Sequence, residues 1–84
     1  MTDYLAEIKN ILSSSTLDII AVKNLYHNII LDNAMYVISN SAPDKVYKYV
    51  EEFLANSIYL LELGEEPDSR IQLNAAVEIL LHIH

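Results

Sequence analysis

Apolar residues along this chain recur every three or four positions, and strict apolar–polar alternation is missing, so the pattern predicts helices and no sheet. Leu5, Ile8 and Leu12 keep helical spacing, with Tyr4 and Ile11 alongside. Thr2 is the expected N-cap of this first helix, Asp3 sits favourably on its dipole, and the serines at 13, 14 and 15 end it. Ser15 is then expected to cap a second helix, with Asp18 three residues on completing a capping-box pattern. A third start is signalled by Ser41-Ala42-Pro43-Asp44, which offers a cap, a proline in the first turn and an acid. That helix should run to Leu63, with Gly64 as the left-handed residue beyond its end. A fourth begins around Pro67–Asp68–Ser69 and runs to the C-terminus. Four helices joined by short turns predict one all-α domain over residues 1–84, a small antiparallel four-helix bundle.

The second helix, from about Thr16 to Asn40, is the unusual one. It is long, and a break near Asp32–Asn33 is compatible with its pattern. It carries two apolar stripes: Leu17, Ala21, Leu31, Met35 and Ile38 on one side, and Ile19, Val22, Tyr26, Ile30 and Val37 on the other. A helix apolar on two faces is either central to its bundle or shared with a second copy, so a homodimer is one of two readings. Asn24, Asn28 and Asn33 interrupt these stripes, either bonded in the core or turned to solvent at its edge. In the third helix Val46, Val50, Phe53, Leu54, Ser57 and Leu61 form the expected core stripe, with Phe53 at its centre.

Tyr59 and Leu63 break that order. They fall on the arc that otherwise holds Lys45, Lys48, Glu52, Ala55 and Glu62, and they lead into Glu65, Glu66 and Asp68 with no cation before Arg70. Either the ring is covered by the turn or the fourth helix, or Tyr59 and Leu63 are apolar anchors within an acidic rim.

Composition narrows the options. A chain that is 52% hydrophobic is unlike a disordered one, and its apolar runs are far too short to span a membrane. No basic segment precedes an apolar one, so no signal peptide is predicted, and cysteine is absent; a cytoplasmic protein is expected. Twelve acids against five basic residues disfavour nucleic acid and anionic membrane surfaces as partners. The same charge assists encounter with a basic protein.

No catalytic chemistry is legible. One glycine excludes the usual phosphate-binding loops, there is no cysteine nucleophile, and none of the seven serines sits in a nucleophile elbow. Glu51–Glu52 and Glu65–Glu66 are adjacent, so their carboxylates diverge on a helix instead of converging on a substrate. His27, His82 and His84 have no evident partners beyond Glu78, four residues before His82; two ligands do not make a metal site. No enzyme, metal or cofactor is therefore expected. The function expected is binding of a basic protein, such as a nuclease toxin, by an inhibitor or immunity-type protein. Its site would be Glu52, Tyr59, Glu62, Leu63, Glu65, Glu66 and Asp68. The alternative is a structural or regulatory homo-oligomer with no inhibitory role.

Overall fold

The computed structural model describes residues 3–41 and 44–82. It consists of α1 (Tyr4–Leu12), α2 (Ile19–Asn40), α3 (Lys45–Glu62) and α4 (Glu66–Leu81), with no strand among the described residues. Each helix packs against two others: α3 lies between α2 and α4, and α1 closes the ring between α4 and α2. The predicted four-helix bundle is the fold observed.

Aspartates start three of the helices. Asp3 accepts from the Ala6 amide at 3.0 Å, and Asp18 from Ile20 and Ala21 at 3.0 and 3.3 Å. Asp44 accepts from Val46 and Tyr47 at 2.9 and 3.3 Å. In each case a carboxylate takes amides that have no carbonyl partner in the first turn, and it does so at the positive end of the helix dipole. These positions correct three expectations, the first being that Asp3 and not Thr2 is the N-cap of α1. Ser15 does not cap the second helix, which begins at Ile19 and not Thr16; Asp18 is the cap. Ser41 does not cap the third; it ends α2 in the left-handed region, at φ 60°, donating its amide to the Val37 carbonyl. Thr2 and Pro43 lie outside the described residues.

The core is built from Tyr4 and Ile8 of α1, Leu17, Val22, Leu25 and Ile29 of α2 and its approach, Val50 and Leu54 of α3, and Leu73, Ala76, Val77 and Leu80 of α4. Phe53 is only partly buried, whereas its neighbour Leu54 has no exposed surface, so the centre of the α3 stripe is Leu54. In α2 neither apolar stripe is internal along its length. Burial follows Val22, Leu25 and Ile29 and then stops. Two things end it: past Ile29 the inward-facing positions of α2 are Asp32, Asn33 and Tyr36, and α1 is short. At about 1.5 Å per residue the 22 residues of α2 span roughly 33 Å, against roughly 14 Å for the nine of α1. Tyr4, the first residue of α1, donates its hydroxyl to Asp32, so beyond this level no described part of α1 lies against α2. The helix nevertheless continues unbroken through Asp32–Asn33. Asn33 donates to Glu51 on α3 at 3.2 Å, while Asn24 and Asn28 face solvent.

Two features join α3 to α4. Gly64, at φ +79°, lets its own amide reach the Leu61 carbonyl (3.1 Å) while the Glu65 amide reaches Leu60 (2.8 Å). This pair of bonds satisfies the last carbonyls of α3 and reverses the chain. One turn further in, Ser57 and Ser69 meet with no exposed surface on either. Ser69 donates to the Ser57 carbonyl at 2.9 Å, so the 2.5 Å contact between the two hydroxyls takes its proton from Ser57.

Two tests follow from this packing. Leu54→Ala should destabilise the fold by about 2–5 kcal/mol in urea titration, and Phe53→Ala by clearly less. The second concerns Tyr47, whose ring meets Tyr4 edge-on with centroids 5.8 Å apart. Burial, and then the negative charges of Asp44 and Asp32, raise the Tyr47 phenol above its usual value of 10.0. The folded state therefore holds the phenol proton more tightly than the unfolded chain does. The stability linked to it is complete below pH 10 or so and is lost as pH rises through the raised folded value. Thermal midpoints should fall more steeply above about pH 10 in the parent than in Tyr47→Phe.

Candidate partner-binding face

The outward direction of Tyr59 follows from the serine contact. Ser57 points inward, and a residue two positions later is turned by roughly 200° about the helix axis, which sends Tyr59 to the far side of α3. Leu63, four residues on, shares that side. Tyr59 is 62% exposed and Leu63 58% exposed, so neither the turn nor α4 covers them. Tyr59 stands in the last turn of α3 and Leu63 is its C-cap, so both rest on a helix end held by the Gly64 turn.

The acids expected around this pair divide into two groups. Glu62, Glu65 and Asp68 are exposed. Glu62 lies 3.3 Å from Lys23 of α2, but both side chains are about half exposed, and such a surface pair is weak. Glu65 occupies the N-cap position of α4 without bonding an amide through its side chain. No ion pair among the described residues uses Glu65 or Asp68. Glu66 is employed elsewhere. Its Oε1 accepts the Leu17 amide at 2.6 Å and lies 3.3 Å from Arg70 Nη2, which turns it toward the α1–α2 connection. Glu52 stands two turns before Tyr59 on the same side of α3, beside Lys45, Lys48 and Tyr49 around a shallow depression of about 350 Å³.

Arg70 is the residue that sequence reasoning passed over. Its guanidinium donates to the carbonyls of Leu12 (3.1 Å), Ser14 (2.8 Å) and Ser15 (3.0 Å), as well as to Glu66. The α1 terminus has no glycine to fold its last carbonyls back, and a planar fork with five donors supplies what is missing. The available signal was a lone arginine, four residues after Glu66, in a chain whose other cations are all lysine. Ile71 was also missed: it is 61% exposed on α4, two positions past the buried Ser69.

Glu78 and His82 line an open groove of about 420 Å³ whose other walls are Val46, Tyr49 and Ile79. Among the described residues no three of His, Cys, Asp and Glu converge as metal ligands. No helix among them is long and apolar enough to cross a membrane. Comparison with known proteins returns no match: no family model, curated protein or solved structure aligns significantly with this chain.

The division of the acids has a direct consequence for stability. Arg70→Ala should lose about 1–3 kcal/mol, because three backbone carbonyls forfeit charged donors, and Arg70→Lys should recover only part. Glu65→Gln and Asp68→Asn should stay within about 0.5 kcal/mol of the parent. Urea titration of the four variants checks the ordering.

Proposed function

We propose that this chain acts by binding a basic protein, in the manner of an inhibitor or immunity-type protein that neutralises a toxin such as a nuclease. The observation that carries this reading is the exposed pair Tyr59–Leu63 on a helix end closed by the Gly64 turn, followed by the exposed carboxylates of Glu65 and Asp68, which enter no ion pair among the described residues. A tyrosine ring offers a large contact area and keeps its hydroxyl available for a polar partner, which is why such rings act as anchors. The carboxylates around it select for lysine and arginine and accelerate encounter. Glu62 strengthens that field and exchanges Lys23 for a partner's cation at little cost, since the surface pair it leaves is weak. Glu52 extends the same side of α3 two turns away. Glu66 stays outside the contact and holds the scaffold beneath it.

A basic nuclease fits this chemistry because its active site must attract phosphate, so an acidic helical corner competes for the same charge. The function requires no catalytic group, metal or cofactor in this chain.

The test is affinity capture from the source cell with the full chain as bait, run in parallel with Tyr59→Ala and Leu63→Ser baits. The expected result is a basic protein retained by the parent and lost from the variants, whose own activity falls when the parent is added. Retention of no basic protein, or equal retention by all three baits, would sink the proposal. With the partner in hand, Tyr59→Ala should speed dissociation about thirty-fold, equivalent to ~2 kcal/mol. Glu65→Lys combined with Asp68→Lys should instead slow association, with an effect that fades as salt rises. Surface plasmon resonance at two ionic strengths separates these effects.

A further inference from the structure

We infer that the outer face of the distal half of α2 is the contact through which two copies of this chain pair antiparallel. The inference is independent of the partner-binding face, which lies on α3. Ile30, Leu31, Ala34, Met35, Val37 and Ile38 fall within one arc of roughly 160°, opposite the inward line of Val22, Leu25 and Ile29. All six are exposed, with Leu31 at 52%, Met35 at 61% and Ile38 at 75%. An apolar stripe this wide on a helix marks a packing face, and the described residues leave its centre, Leu31, Met35 and Ile38, more than half exposed.

Charge and area select a second copy as the occupant. The chain carries a net charge of −7, so two copies meeting over most of their surface bring carboxylates together. Between Asn28 and Pro43 the only charged side chain is Asp32, which is exposed but lies off the arc, on the side of α2 where it accepts the Tyr4 hydroxyl. The arc is therefore neutral. It repels no second copy, and it has nothing to attract a basic protein. At the observed exposures the arc offers on the order of 500 Å² of apolar surface, so a symmetric pair buries roughly 1,000 Å², about the lower limit for a specific interface.

The sequence of the arc also sets the direction of pairing. An antiparallel overlap centred between Ala34 and Met35 places Leu31 opposite Ile38 of the partner subunit. It places the small Ala34 opposite Met35 of the partner subunit, so the one side chain fills the space the other leaves. The more polar first half of α2, with Lys23, Asn24 and His27, then points away from the contact in both copies. A parallel pair would stack Lys23 on its own copy and align the two helix dipoles.

Sedimentation equilibrium of the full chain, from low-micromolar to sub-millimolar concentration, is the test. The expected mass approaches twice 9.6 kDa as concentration rises. Leu31→Glu and Ile38→Lys each enter a two-fold contact twice, so each alone should weaken pairing at least about a hundred-fold, with helical circular dichroism unchanged. Mixed together, the two variants should pair again, because antiparallel docking sets Glu against Lys at one end and leaves the parent Leu–Ile contact at the other. A parent that is monomeric throughout overturns the inference and leaves the face to a different protein. Variants that pair as tightly as the parent, or a mixture that stays monomeric beside a dimeric parent, overturn the surface and the direction respectively.

Discussion

The contact between Ser57 and Ser69 sets the geometry on which the rest of the bundle depends. Two small side chains let α3 and α4 approach closely, and each hydroxyl must be bonded because both are sealed from water. The pair answers that demand internally, through one hydroxyl–hydroxyl bond and one hydroxyl–carbonyl bond. The Gly64 turn brings the two helices side by side, and the serines fix how each is rotated about its own axis. Once those rotations are fixed, Leu54 and Leu73 must face inward and Tyr59 and Ile71 must face out.

The two remaining helices are attached to this pair by different means. α1 is held at its end by Arg70 and Glu66, which take up the carbonyls and the amide of a connection that has no glycine to close it. α2 is held by apolar burial along its first half and by Asp32 and Asn33 at the level where α1 begins. Beyond that level its helical bonds continue without side-chain burial on its outer side. The consequence is a molecule with two outward apolar regions of different character. The Tyr59–Leu63 region is small and lies among carboxylates, which suits a cationic partner; the distal α2 region is broad and uncharged, which suits a like molecule.

Much of the fold was legible in the spacing of apolar residues. Four helices, the reversal at Gly64, and the α3 stripe of Val50, Leu54 and Ser57 all follow from local pattern, because a helix repeats every 3.6 residues or so and a glycine is the easiest route to a positive φ. Tyr59 and Leu63 were legible as exceptions for the same reason: they interrupt a polar arc. The starts of α2 and α3 were misplaced because serine and aspartate compete for the same capping role within three residues. The charged group prevailed at both sites, at Asp18 and at Asp44.

The sequence by itself determined the helices, the acidic surface and the side of α3 on which Tyr59 lies, since each depends on neighbours within a few turns. Only the tertiary structure decided which acids are left facing water. Glu65 and Glu66 are adjacent and chemically alike, yet one faces water and the other grips the Leu17 amide 49 residues away. Nor could pattern alone decide which part of α2 is core. Both of its stripes are apolar, and the difference between buried and exposed is which side of α2 the other helices lie on: they take the side of Val22, Leu25 and Ile29 and leave that of Leu31, Met35 and Ile38 open. Burial is a property of what lies alongside a helix, and that is fixed by contacts distant in sequence.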